Sequence, residues 1–474
     1  MKNGARRTKI VCTIGPSTAS VPMLEKLALA GMDVARLNFS HGDHAYHAAS
    51  YANIIAAGKM SGKKIAVLQD LGGPKIRLGT LNQPELGLHS GDRVTLVSGH
   101  SAPGDEIPVN YPHLAEDVAV GEKILLADGL VELLVEELKS HRLICSVVTG
   151  GILHSFKGVN LPSSKLRVSA FTDKDRRDLT FGLSLGVDMV AMSFVRDESC
   201  LAPILEILTN SANPPLLFAK IEKPQAVDRI AEILAVVDGI MVARGDLGVE
   251  MPYEMLPMAQ KKLISAARRA GKPVIVATQM LRSMIESPRP TRAEATDVAN
   301  AILDGADAVM LSEETAIGSY PLEAVGALDR IALTTEKEFS GTRFLNEADS
   351  PLLPPVEAAI SRAACDIALK LGAKAIVAST LSGKTARLVS RFRPPIPILG
   401  MTSVERTFGN LAISWGVTPG MLPHTERFTE LCAMAEKFAK KNGFASSGDR
   451  IVITAGYPVK SGGSSDLVKV LTVK

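Results

Sequence analysis

Eight apolar runs, separated by helix-like segments, constrain this chain more than any other feature of its sequence. They are KIVCTIG (9–15), MDVARLNFS (32–40), IAVLQDLGG (65–73), DMVAMSF (188–194), LLFAKIE (216–222), GIMVARGD (239–246), PVIVATQ (273–279) and AVMLSEE (308–314). Strands that are apolar on both faces belong to parallel sheets covered by helices. The stretches between them, such as VPMLEKLALAG and MLPMAQKKLISAARRAG, carry apolar residues three and four apart and stop at glycine. That is the pattern of an amphipathic helix with its C-terminal cap. Eight β/α units are what a closed (β/α)8 TIM barrel requires. A doubly wound open sheet competes, but it has no need of polar residues at the end of every strand.

The rhythm breaks once. Between Gly73 and Asp188 only one helix is needed, TDKDRRDLTFGLSLG, yet about residues 74–168 are surplus. The surplus holds short β-like runs (RVTLVS, KILLADG, LICSVV) between Gly, Pro and Asp turns, which predicts a small β-barrel domain inserted after the third barrel strand. Loops that follow barrel strands lie on the catalytic face, so the insertion is placed to act as a lid. Proline-rich SPLLPPV (350–356) reads as a linker, and the alternation beyond it predicts an open α/β domain. The expected division is 1–73 with 169–345 for the barrel, 74–168 for the lid and 355–474 for the C-terminal domain. A length of 474 residues agrees with about three domains.

Bulk properties exclude several classes. The net charge is +3 and no Lys/Arg block is interleaved with aromatics, so no nucleic-acid partner is expected. Cys12, Cys145, Cys200, Cys365 and Cys432 are scattered without metal spacing, which suits reduced thiols rather than a disulfide or zinc framework. The opening MKNGARRTKIVCTIG lacks the apolar core of a signal peptide, and no uncharged apolar stretch is long enough for a membrane span. A cytoplasmic protein is expected.

The chemistry is concentrated where the apolar runs end. Side chains two apart on a strand share a face, so Lys220 with Glu222, and Arg244 with Asp246, are expected side by side. Arg36, Asn38 and Ser40 share a face in the second run, next to His41 and Gly42. Asp70, Arg77 after the turn GGPK, Thr278 and the Ser312–Glu314 cluster complete a ring. A carboxylate pair suits a divalent cation, and neighbouring lysine and arginine suit phosphate, so the rim reads as metal-assisted phosphoryl chemistry. The bland alternatives are solvated strand ends and a structural Lys220–Asp246 ion pair. Neither accounts for the concentration of charge at one end.

RRTKIVCTIGPST, GMDVARLNFSHG, KGVNLP, AKIE, MVARGDLGVE, ATQML, SPRPTRAEATDVANA and MLSEETA resemble, in order and across the chain, the signatures of the bacterial-type pyruvate kinase family. The resemblance implies phosphoryl transfer from phosphoenolpyruvate to ADP, giving pyruvate and ATP, the last step of glycolysis. It implies Mg²⁺ on Glu222 and Asp246, and substrate held by Arg36, Lys220, Gly245, Asp246 and Thr278. Lys220 stands at the phosphoryl group in flight, and Thr278 relays a proton to the enolate through water. Nucleotide contacts fall on Asn38, Ser40, His41, Arg77 and Lys157, and a second Mg²⁺ arrives with ADP. A homotetramer is implied by the resemblance alone.

Two stretches depart from the family pattern. The usual turn DTKGPEIR is here DLGGPKIR, with Leu71 for threonine and Lys75 for glutamate. The family's K⁺ ligands match Asn38, Ser40, Asp70 and the carbonyl at Leu71. The Lys75 ammonium would stand in for the ion, and within the family this lysine goes with K⁺ independence. A plain turn lysine is the alternative. Glu313 replaces a usual glycine, and the sequence gives no account of its effect. In the C-terminal domain, STLSGKTARLVSRFRP resembles the family's effector-phosphate loop, with Ser382, Gly383, Lys384 and Thr385 opening a helix and SGGSS (461–465) able to close over a ligand. A capped helix without ligand reads equally well, and Ala378 rules out a Walker A loop. Two other functions stay open on the residues alone. One is a Mg²⁺-dependent lyase or aldolase, which would leave the lid and Arg77 unexplained; the other is a silent metabolite sensor, which intact Lys220, Glu222, Asp246 and Thr278 argue against.

Overall fold

A strand apolar on both faces has to be covered on both, and the chain achieves this by closing a sheet on itself. In the computed structural model, which describes residues 6–164, 166–339, 342–458 and 465–474, the eight runs form β1 (Lys9–Thr13), β2 (Val34–Asn38), β3 (Ala66–Asp70), β4 (Met189–Met192), β5 (Leu216–Ile221), β6 (Gly239–Ala243), β7 (Val274–Ala277) and β8 (Ala308–Leu311). They pair in parallel in the order β1-β8-β7-β6-β5-β4-β3-β2, a closed barrel. Period-two alternation turns Val34, Leu68, Ala191, Phe218, Met241 and Met310 into the lumen, while the alternate residues pack beneath the helices. The floor is plugged from the C-terminal domain by Ala412 and Ile413, which join the lumen cluster.

The strands are shorter than the apolar runs. β2 stops at Asn38, and Phe39 and Ser40 lie in a turn. β6 stops at Ala243, where a helix, Arg244–Glu250, begins at once. The helix after the insertion, Asp173–Leu185, opens with a capping box: Thr172 accepts from the Asp175 N–H, and the Asp175 carboxylate accepts from the Thr172 N–H.

Between β3 and that helix lies the insertion, a six-stranded and a two-stranded sheet around a core that includes Leu96, Ile124, Leu133 and Leu143. Strands Arg93–Ser98, Lys123–Leu126 and Arg142–Thr149 fall on the three expected runs. Strand Val131–Lys139 has no counterpart among them; its sequence, VELLVEELK, is rich in residues that also favour helix. The C-terminal domain is a five-stranded sheet, parallel except for its edge strand Leu467–Thr472. Its first helix, Pro355–Lys370, starts inside the expected linker, with proline in the first turn where its missing N–H costs nothing. The helix expected to open at Ser382 begins at Lys384, behind Gly383 at φ +84°. No helix among the described residues is long and apolar enough to cross a membrane, and all five cysteines are free thiols.

Candidate functional site

Three lumen columns end on charge at the C-terminal mouth of the barrel. Val34 leads to Arg36, Leu68 to Asp70, and Phe218 to Lys220, because alternation carries the inward face upward past the last apolar layer. Asp70 stands between the two cations. Its Oδ2 accepts from Arg36 Nε at 2.7 Å, and its Oδ1 lies 3.2 Å from Lys220 Nζ. Lys220 also pairs with Glu222 Oε1 at 2.9 Å and donates to Ser193 Oγ at 2.8 Å. Ser193 in turn donates to the Leu71 carbonyl at 2.6 Å. Arg36 Nη1 donates to Thr13 Oγ1 at 2.9 Å, and the Phe194 N–H donates to Glu222 Oε2 at 2.7 Å. Thr13, Ser193 and the Phe194 amide were not expected from the sequence. The first two sit at the ends of the columns Val11–Thr13 and Ala191–Ser193, and the same alternation would have found them.

Burial and charge act against each other here. Burial lowers the Lys220 ammonium's pKa, but Asp70 and Glu222 more than restore it, so the group is raised above its ordinary value and stays charged. Asp70, penalised by burial, is nevertheless held low by Lys220 and Arg36. Glu222 goes the other way: burial raises it, and the nearby Asp246 charge adds to the rise despite Lys220. A carboxylate pushed up by a second carboxylate is the setting in which a divalent cation gains most. Among the described residues no group of three or more His, Cys, Asp or Glu side chains could cage a metal. Two carboxylates are the donor set that Mg²⁺ usually takes from a protein, with water and substrate oxygens filling its shell.

The structure corrects two pairings. Arg244 does not stand beside Asp246. Because the strand gives way to a helix at Arg244, a spacing of two no longer means one face, and Arg244 turns to Asp297 at 2.6 Å and the Thr278 carbonyl at 2.8 Å. The structural Lys220–Asp246 pair is not the one formed either; the partners of Lys220 are Asp70 and Glu222. Asp246, in the first turn of its helix, lines the cleft between rim and insertion with Lys75, Asn160, Lys223 and Glu250. Asn160 of the insertion donates to Glu250 at 2.8 Å, and Lys223 pairs with the same carboxylate, which ties the two domains together across the cleft.

Thr278 follows β7 at φ +70°. For a β-branched residue this is a genuine outlier, at a cost of about 1–3 kcal/mol. Its hydroxyl accepts from the Gly245 N–H at 2.7 Å and donates to the Ala277 carbonyl at 2.5 Å. The Gly245 amide, expected to face a ligand carboxylate, is thus held by Thr278.

On the other side of the mouth, partial burial and the charges of Arg77, Lys75 and Arg36 keep His41 below its usual pKa. Arg77 donates to the Phe156 carbonyl at 3.0 Å, next to exposed Lys157. Of the expected K⁺ ligands, Asn38 Oδ1 accepts from the Ser40 N–H at 3.2 Å, Asp70 faces two cations, and the Leu71 carbonyl is taken by Ser193. Glu314 is a backbone staple rather than a rim group, accepting from the N–H of Leu281 at 3.1 Å and of Ser312 at 2.7 Å. Glu313 is exposed and opens the helix Glu313–Ala316, where a negative charge is favourable.

In the C-terminal domain, Ser382, Lys384 and Thr385 line a cavity of about 210 Å³ with Thr402, His424 and Ser465. Lys384 is ion-paired with buried Glu357, and Thr385 Oγ1 lies 2.6 Å from Ser465 Oγ. The rest of the SGGSS segment, 461–464, lies outside the described residues.

Two family models match the chain: "Pyruvate kinase, barrel domain" over residues 5–325 and "Pyruvate kinase, alpha/beta domain" over residues 358–471. Among similar proteins are the pyruvate kinase of Geobacillus stearothermophilus, 46% identical over 98% of this chain and 80% of its own, and that of Mycobacterium intracellulare, 44% identical over 98% of both. The crystal structure of a pyruvate kinase from Cryptosporidium parvum superposes with a TM-score of 0.93 at 36% identity, over 99% of this chain and 96% of that one.

Proposed function

The chain belongs to the pyruvate kinase family and is a phosphotransferase, and from that premise we propose how its barrel mouth moves a phosphoryl group from phosphoenolpyruvate to ADP. The observation that carries the reading is the buried Arg36–Asp70–Lys220–Glu222 chain. Asp70 fixes two cations before any substrate arrives. Arg36 clamps the phosphate and Lys220 faces the phosphoryl group in flight. Such preorganised charge is worth about 3–4 kcal/mol. Little covalent work falls to the protein in this transfer, so positioning and neutralisation dominate.

Glu222 and Asp246 would hold Mg²⁺, which when bound neutralises substrate carboxylate and phosphate, and a second Mg²⁺ travels with the nucleotide. Asn38, Ser40, His41, Arg77 and Lys157 face the nucleotide and its phosphates. Protonation of enolpyruvate passes through a water at Thr278, since an alcohol of ordinary acidity is a poor acid. Thr278 also holds the Gly245 amide, and with it the first turn of the helix that carries Asp246. Lys75, in the cleft with Asp246, supplies the charge that K⁺ would bring, so no monovalent cation is required. One unit charge about 4 Å from phosphate is worth about 4 kcal/mol at an effective dielectric near 20. A cytoplasmic homotetramer completes the reading. The Ser382–Thr385 loop is its effector-phosphate site, where Lys384 has to leave Glu357 to meet an anion.

The test is pyruvate formation from phosphoenolpyruvate, ADP and Mg²⁺ in buffer free of K⁺ and NH₄⁺, repeated with K⁺. Full turnover in both is expected. Turnover only with K⁺ would remove Lys75 from the mechanism, and none in either would return the rim to the lyase or sensor readings.

A further inference from the structure

At the opposite end of the barrel the structure gathers cations that the phosphoryl chemistry does not use. The turn from helix Leu256–Arg269 into β7 supplies Arg268 and Lys272, and the end of helix Lys384–Ser390 with the residues after it supplies Arg387, Arg391 and Arg393. These five line one small cavity, with Asp307 as the carboxylate among them. Arg268, Arg391 and Arg393 are 3%, 3% and 1% exposed, so water does not solvate them. Each has one carboxylate: Glu347 for Arg268, Asp349 at 2.8 Å for Arg391 and Asp307 at 2.7 Å for Arg393. Arg387 and Lys272 have none at ion-pair distance among the described residues.

Hydrogen-bond accounting shows the same surplus. Arg268 Nε, Arg393 Nε, Arg387 Nη1, and both Nε and Nη2 of Arg391 are buried without an acceptor among the described residues. A buried donor left unmade is costly, more so when charged. In Arg391 the two orphans form one edge of the guanidinium, the fork that grips an oxyanion with two parallel bonds. Burial lowers the pKa of Arg387, Arg391 and Arg393, and that of Arg268 to about 10, because the neighbouring carboxylates only partly make up for lost solvent.

We propose that this cavity is an anion site, taking a monatomic anion such as chloride that ties the floor of the barrel to the C-terminal domain. Its open volume of about 10 Å³ holds one water-sized group, which excludes phosphate itself as well as a nucleotide or sugar phosphate. Both orphan donors of Arg391 can meet one such ion, with half-buried Arg387 beside it.

The experiment follows thermal unfolding of the whole protein at fixed ionic strength, replacing gluconate by phosphate in one series and by chloride in another. A saturable rise is expected with chloride, about 3–5 °C at a hundredfold excess over Kd, and none with phosphate. A saturable rise with phosphate and none with chloride overturns the proposal. Arg387→Gln should lose the saturable part and keep its kcat. The same saturable rise in Arg387→Gln, or an unsaturating rise in the parent, overturns the proposal. Crystals grown without halide and soaked in bromide give a readout independent of any variant. Anomalous density within hydrogen-bond distance of Arg391 Nε and Nη2 supports the site, and a cavity without it overturns it.

Discussion

The two ends of the barrel bury charge in opposite ways. At the mouth, Arg36 and Lys220 meet Asp70 and Glu222 at 2.7 to 3.2 Å, so the cations and anions compensate each other. At the floor, five cations surround a cavity and several of their donors have no acceptor. Taking charge out of water costs several kcal/mol per ion unless geometry and hydrogen bonds offset it. The mouth offsets that cost internally and therefore holds its shape before substrate arrives. The floor is offset only in part, and the part left over has one sign. Paired buried charge marks preorganisation; surplus buried charge marks a missing partner.

The comparison breaks most easily at Lys220. Lys220→Met should lower kcat for pyruvate formation about a thousandfold, measured at saturating phosphoenolpyruvate and ADP. A loss under tenfold would make the mouth cluster structural. Next is Thr278→Ala, which removes the hydroxyl that holds the Gly245 amide. A fall of about a hundredfold in kcat is expected, with Thr278→Ser recovering most of it, and equal activity of both variants would detach the hydroxyl from the reaction. Lys75→Glu should then cost about tenfold or more in K⁺-free buffer and regain activity as K⁺ is added. No response to K⁺ would mean that Lys75 is an ordinary turn residue.

The smallest effect belongs to the floor. Burial holds Lys272 down to about 8, against an ordinary 10.5. Between those values the unfolded chain binds more protons than the folded one, so stability rises with pH. The stabilisation is complete above about 10.5 and is lost as pH falls through about 8. Across that window the melting temperature of the parent should gain on that of Lys272→Met. A constant difference would show that the lysine is not desolvated.

Much of the mouth was legible because a barrel strand writes its lumen face every second residue. Leu216, Phe218 and Lys220 make one column, and so do Leu68 and Asp70. Legibility failed where the backbone changed period. Arg244 and Asp246 looked like strand neighbours until the helix began at Arg244, and Ser40 sits in a turn rather than on β2. Thr13 and Ser193 escaped notice because a single hydroxyl at the end of an apolar run carries little contrast. The floor cluster was out of reach for another reason: its members lie between 268 and 393 on two domains, and only the packing of helix Lys384–Ser390 against the barrel brings them together. In the insertion, the glutamates of VELLVEELK masked a strand whose inward residues are Val131, Leu133 and Val135.

Thr278 sets a limit on how far this protein can be hardened. Glycine would relieve its left-handed backbone, and asparagine tolerates that conformation better than threonine does. Selection for heat resistance alone would therefore favour replacing it, at the expense of the hydroxyl that turns the Gly245 amide. The most durable form of this chain and its most active form are expected to differ at that position.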